Sequence, residues 1–457
     1  MVTTRRGSDT KEASTPAGIS TLSAGVNCLN GSVGVGVLGL PFAFKTCGWS
    51  ALLVITFVGG ATYYTATVIV KVLAAASGKG KKKSRAELNY DALGEAAFGR
   101  TGQLLSGGVQ LGELGIAAVA ILCLLGDNLA QLAGVSATEG VLCGAAVSYV
   151  LSVTRPNLLA MFSLLSLGVV VAQVAVLAYF GGSNAARAAT PPWSSTSFLA
   201  TGVAGGMAAF GKSMFCFGGH SMLPAQYALM AAPDAAPRML RRVFGFMWAI
   251  NTSIGALGYA LYGTGVLPKF VDNFPPTSVI TTFIRAAMAY NLQSTVPLVV
   301  AAIGGYLLPP GAPATRGAWA YAAAVKGALL VGIAAASIFL GDGFDLVMTV
   351  GGCATPSLSL SLAPGRFPAP RPNSSPSAPS PHARDHRAPQ LTTRVPPRRS
   401  ASVVSSVALI FPLTVNLALY RHAMGVAEVG ANVGLLVLGA AFAAWGTWSG
   451  LTEVGLL

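Results

Sequence analysis

The sequence predicts an all-α membrane protein: eleven transmembrane helices, the first ten forming a five-plus-five inverted repeat whose first and sixth helices are broken. Three observations lead there. Of 457 residues, 53% are hydrophobic and only 10% charged; mean hydropathy is +0.63. The apolar residues come in runs about as long as the roughly 20 residues a helix needs to span a bilayer, not at amphipathic spacing. Two of these runs, five spans apart, are interrupted by glycine and proline, the residues least able to continue a helix.

Taken in order, the runs are 19–44, 50–73, 102–134, 138–154, 158–181, 198–224, 243–265, 278–308 and 317–340. A tenth, interrupted, falls within 344–420, and an eleventh at 428–448. With the N-terminus inside, the cytosolic loops collect Lys79, Lys81, Lys82, Lys83, Arg85, Arg100, Arg155, Arg238, Arg241, Arg242, Arg316 and Arg421. The opposite loops up to the tenth run hold Arg187 and Lys269. That asymmetry selects a cytosolic N-terminus, so the net charge of +14 reports topology and not nucleic-acid binding. Six cysteines, Cys28, Cys47, Cys123, Cys143, Cys216 and Cys353, sit singly with no CxxC pair.

Four divisions follow. Residues 1–18 are polar, lack the apolar core of a signal peptide, and read as a disordered cytosolic tail. Residues 19–355 hold spans one to nine and the start of span ten. Residues 356–400 contain eleven prolines and seven arginines with one acid, Asp385, a composition that stays disordered; residues 401–457 supply the remainder. Three readings of 356–400 stand: a regulatory or anionic-lipid-binding loop, an inert insertion, or a retained intron. Joining Thr355 to Ala401 restores one uninterrupted apolar span.

The first run carries "NGSVGVGVLGLPFAF" (30–44) and the sixth "AFGKSMFCFGGHSMLPAQYALM" (209–230). Small residues at such spacing serve close helix packing. A Gly/Pro-interrupted helix at the head of each five-span set also marks a transporter built from inverted repeats, with a binding site at mid-membrane. Unpaired backbone in hydrocarbon costs several kcal/mol per group. A ligand and a water-lined cavity are what can offset it.

These segments carry a resemblance. "GVGVLGLPFAFKTCGW" (34–49), "YDALGEAAFGRTG" (90–102), "FGGHSMLPAQYAL" (217–229) and "GALGYALYG" (255–263) are similar, in order, to the amino acid/auxin permease family, especially its vacuolar and neutral amino acid branches. The resemblance implies eleven spans and secondary transport of amino acids, by symport or antiport, on a proton or sodium gradient. It implies a vacuolar or plasma membrane location, with membrane lipid as the surroundings and no cofactor.

In the first span, Gly34, Val35 and Gly36 would present amide hydrogens to a substrate carboxylate, helped by the positive end of the resuming helix. Phe215, Cys216, Phe217 and Gly218 would line the side-chain pocket of the sixth, or belong to the core. Asn30 with Ser294 and Thr295 of "YNLQSTVPLVV" match the oxygen ligands of sodium-coupled members, so a sodium site at Asn30 and Thr295 stands beside two structural readings, backbone satisfaction in the broken helix and repair of the ladder at Pro297. Proton coupling would use Glu113, Asp127 or His220, since ionisable groups inside a membrane are functional by default. Lys212, Arg285 and Lys326 must pair or snorkel, with Glu113 a candidate partner. An amino acid-sensing receptor with little flux is the competing class. No HExxH, strand-borne GxSxG or Walker loop supports an enzyme.

Overall fold

The computed structural model describes residues 18–32, 37–77, 88–154, 156–187, 192–199, 202–267, 270–274, 278–309, 315–340 and 406–453. Among these the regular structure is helical, and one isolated parallel bridge joins Ile19 to Met230. The tail and the 356–400 segment lie outside the described residues, as do Gly34, Val35 and Gly36.

The first span is two helices. α1 (Thr21–Ser32) stops, and after a 3₁₀ turn at Val37–Gly39 the chain resumes as α2 (Leu40–Cys47). Pro41 sits in the first turn of α2, where its missing N–H removes no helical bond. α3 (Ala51–Ala76), α4 (Tyr90–Ala133), α5 (Ala137–Ser152) and α6 (Pro156–Arg187) follow. The sixth span repeats the interruption: α7 (Val203–Cys216) ends, a turn at His220–Met222 intervenes, and α8 (Leu223–Leu229) begins with Pro224 in its first turn. α9 (Ala236–Tyr262), α10 (Val279–Leu307) and α11 (Arg316–Leu340) complete the central part. A π-helical turn at Ser406–Ile410 leads into α12 (Phe411–Tyr420), then α13 (Val426–Glu453). Six helical stretches of the described residues are long and apolar enough to cross a membrane; α1, α7 and α8 are each too short to do so alone.

The halves pack crosswise, α1 against α8 and α2 against α7. Backbone bonds tie them at one end, where Ile19 N donates to Leu229 O and Ala231 N to Ile19 O, each at 2.9 Å. At the other end, Trp49 N donates to Ser197 O at 3.0 Å and Ser50 N to Phe198 O at 2.9 Å. Where the interruptions meet, Gly219 has φ 108°, and Ser32 Oγ occupies the space a Cβ there would need. Only glycine meets both demands.

α4 is not straight. At Gly99 the chain turns with φ 63° and ψ −151°, folding Tyr90–Phe98 back along the rest of the helix. A Cβ on Gly94 would run into Gly102 O and Ser106 Oγ, and one on Gly102 into Gly94 O. Gln103 Nε2 donates to Asp91 Oδ2 at 3.1 Å across the turn. The motif "YDALGEAAFGRTG" is thus a helical hairpin whose glycines permit backbone contact.

Two apolar cores result. One gathers Leu29, Phe42, Phe44, Ile55, Met214, Tyr227 and Ile254 from the broken helices with α3 and α9. The other gathers Leu114, Leu125, Val141, Val300, Leu330 and Ile333 from α4, α5, α10 and α11. Met222, in the sixth-span interruption, packs into the second core. Where they adjoin, a seam of buried polar residues runs beside these apolar contacts.

Candidate functional site

That polar seam has two parts. In the first, Asn30 at the end of α1 meets α6 and α10. Its Nδ2 donates to Ser163 Oγ at 3.2 Å, and its Oδ1 accepts from Asn291 Nδ2 at 3.3 Å and Ser294 Oγ at 3.1 Å. Thr295 Oγ1 lies 3.2 Å from Asn30 O. Asn291 Nδ2 also donates to Ser166 Oγ at 2.7 Å, and Asn291 O accepts from Ser294 Oγ at 2.8 Å and Thr295 Oγ1 at 2.9 Å. All six residues are buried. The structure therefore brings Asn30, Ser294 and Thr295 together as expected.

Asn291, Ser163 and Ser166 were not singled out by sequence reasoning. Their signal was there: Ser163 and Ser166 share a helical face, as do Asn291, Ser294 and Thr295. The hydroxyls do not mend the ladder at Pro297. The carbonyl freed by that proline is Gln293 O, four residues back, whereas both hydroxyls turn to Asn291 O.

The second part surrounds the sixth-span interruption. Gln110 of α4 donates through Nε2 to Ser221 O and accepts at Oε1 from the Tyr306 hydroxyl of α10. One turn further along α4, Glu113 is 8% exposed, with the Ser221 side chain as its polar neighbour. Its Oε2 is buried without a hydrogen-bond partner.

Of Lys212, Arg285 and Lys326, each expected to pair or snorkel, the two lysines are placed away from Glu113. Lys212 Nζ stands over the Phe42 ring at 5.2 Å, and Lys326 Nζ donates to Ser152 O at 2.6 Å. Both lysines find an electron-rich or carbonyl partner on another helix. Neither has to cross the bundle.

His220 turns the other way, into α3. Its Nε2 is 2.9 Å from Thr62 O and 3.0 Å from Thr65 Oγ1. A carbonyl oxygen only accepts, so Nε2 carries the hydrogen. The ring also meets the edge of Phe244, centroids 6.1 Å apart. Asp127 lies near the far end of α4, away from this group in sequence.

Of the residues expected to line a pocket, Phe217 is fully buried, stacked on Phe244 at 6.5 Å, with Gly59 of α3 leaving room for its ring. It is a core residue of the first apolar body. Cys216 is buried, Phe215 and Gly218 partly so. Asn251 of α9, another residue the sequence did not single out, donates to Cys216 O at 3.4 Å and so satisfies a carbonyl left over by the end of α7. Among the described residues no cluster of His, Cys, Asp and Glu is suited to a metal.

Comparison with known proteins gives this arrangement its context. Amino acid transporter AVT1C of Arabidopsis thaliana is 28% identical over 298 residues, covering 60% of this chain and 52% of that protein. Amino acid transporter AVT1B of the same plant is 26% identical over 362 residues, covering 75% and 63%. The chain thus spans about half to two thirds of the length of these relatives. Among solved structures, a sodium-coupled sialic acid symporter in a substrate-bound outward-open state has TM-score 0.52 at 15% identity, over 96% of this chain and 90% of that one. A nucleobase–cation symporter in a closed conformation has TM-score 0.50 at 12% identity, over 94% and 93%. These two share the fold. The profile of the transmembrane amino acid transporter proteins matches residues 17–307, well over half of the chain and all of the site just described, and the protein belongs to that family, the amino acid/auxin permeases.

Proposed function

We propose that the protein is a secondary active transporter that moves small neutral amino acids across a membrane, driven by a proton gradient and working by alternating access. The observation that carries this reading is the pair of apolar cores with buried polar residues gathered where they adjoin, beside two interrupted helices. A boundary made partly of hydrogen bonds can shift at lower cost than one made wholly of interdigitated apolar packing, which resists small displacements. Discontinuous helices supply backbone groups for a ligand at the same level.

In this reading the substrate carboxylate meets the amides of Gly34, Val35 and Gly36, and its side chain lies toward Phe215, Cys216 and Gly218. Eleven spans in a five-plus-five repeat, a cytosolic N-terminus, and a vacuolar or plasma membrane location complete it. The relatives' names support the substrate class.

Sodium coupling at Asn30, Ser294 and Thr295 is the second reading, supported by their meeting in space. Against it, each hydroxyl there is already shared between Asn30 and Asn291, and the cluster is neutral and self-satisfied. A carboxyl oxygen without a partner, by contrast, lies at the same seam.

Uptake of a panel of labelled amino acids into proteoliposomes, under imposed proton or sodium gradients, tests both. Accumulation of small neutral amino acids on a proton gradient, persisting without sodium, is the expected result. Strict sodium dependence, lost in Thr295→Ala, would move the coupling site to Asn30 and Thr295. Saturable binding with no flux would make the protein a sensor.

A further inference from the structure

We infer that Glu113 is the group that takes up and releases the driving proton, and that Ser221 and Gln110 tie this event to the interruption of the sixth span. This rests on the proton-coupled reading above.

The argument begins with what a carboxyl group needs. Buried as a carboxylate, it requires donors or a cation; as a neutral acid it needs only a polar neighbour, and lacking one costs far less. Glu113 is more than nine-tenths buried, and its Oε2 has no partner. Its surroundings offer little charge. Tyr90, on the folded-back part of its own helix, is within electrostatic reach of it and of the Tyr306 phenol of α10. Ser221 faces it from the sixth-span turn. Among the described residues, α3, α5, α10, α11 and α12 place no lysine, arginine, histidine or acid in ion-pair contact with it. The arrangement seen here accommodates the acid form, and the ionised form is accommodated once water or a cation reaches the seam.

The position decides between Glu113 and His220. Coupling requires a group whose surroundings change when the two bodies move. His220 donates to Thr62 and Thr65 of α3, within the same body as the sixth-span helices, so motion of that body carries its partners along. Glu113 stands on α4, in the other body, and looks across the seam at Ser221. Gln110, one turn away, holds Ser221 O and Tyr306 at once. A displacement of the sixth-span turn therefore changes the access and the polar contacts of Glu113 directly. The chemical step is proton transfer alone: the carboxylate gains a proton from water on one side of the membrane and returns it to water on the other.

The test uses the full chain in proteoliposomes with labelled L-alanine as the probe and a pH-sensitive dye in the lumen. The wild type is expected to accumulate alanine on a proton gradient, with dye-reported proton entry. Wild type that accumulates alanine only on sodium overturns the coupling reading itself, independently of Glu113. In Glu113→Gln, a permanent mimic of the neutral acid, proton entry and gradient-driven accumulation should be lost, and alanine counterflow should no longer depend on pH. If that variant shows no counterflow, Glu113→Asp decides. Proton-driven uptake with a displaced pH midpoint supports the assignment. Glu113→Gln that still accumulates alanine on a proton gradient overturns it. So does Glu113→Asp that keeps the wild-type pH profile or is inactive.

Discussion

Single side chains hold the seam, and they do so by satisfying one another. Asn291 donates to Asn30 and to Ser166 from a buried position, so truncating it leaves Ser166 Oγ without that donor and Asn30 Oδ1 with Ser294 Oγ in place of two donors. Leaving a buried polar group unsatisfied costs about 1–3 kcal/mol. Asn291→Ala should therefore unfold at lower temperature in detergent than the wild type, while Asn89→Ala, whose side chain donates to Gly305 O from an exposed site, should move far less. Equal shifts would mean that the cluster at Asn30 is not a stabilising network. At this scale the sequence was only half legible. It exposed Asn30, Ser294 and Thr295 through their match to the oxygen ligands of sodium-coupled members of the family, and missed Asn291 beside them. It could not show that His220 would be bound to threonines 155 and 158 residues away, nor that Glu113 would be left without a basic partner, because both depend on which helices become neighbours.

Elements were far more legible than contacts. Among the described residues, helix limits lie within about seven residues of the apolar runs, and the interruptions fall where glycine and proline terminate helices for local reasons that need no tertiary partner. The hairpin at Gly99 is the exception. Its sequence stood out as a motif and gave no indication that residues 90–98 fold back. The reason is that Gly94 and Gly102 act through a backbone-to-backbone approach, which has no hydropathy signature. Gly94→Val should open this hairpin, since its side chain would have to occupy the place of Gly102 O. The expected observation is faster protease cleavage between 85 and 100 and a lower unfolding temperature, with Gly108→Val, where a Cβ meets nothing within 4 Å, as the tolerated comparison. Unchanged cleavage in Gly94→Val would show that the close approach is not what fixes the turn.

For the whole molecule the question is which parts move together. The crosswise pairing of α1 with α8 and α2 with α7, closed at one end by the Ile19–Met230 bridge and at the other by Trp49 and Ser50 on Ser197 and Phe198, makes the two broken spans one body with α3 and α9. If that body rocks as a unit against α4, α5, α10 and α11, Ile19 and Met230 never separate during the cycle. Bridged backbone segments lie about 4.8 Å apart, within the Cα separation a disulfide accepts. An Ile19→Cys, Met230→Cys double variant should therefore cross-link on oxidation and transport at the same rate oxidised and reduced. The comparison is made within one protein, so the packing lost by replacing two buried apolar side chains cancels. Arrest on oxidation, relieved by reductant, would show instead that the first and sixth spans part from each other at this end when the site opens. On the proposed alternating-access reading, the motion would then be one of gating inside the first apolar body, and the polar seam at Asn30 and Glu113 would be a fixed joint, not the moving one.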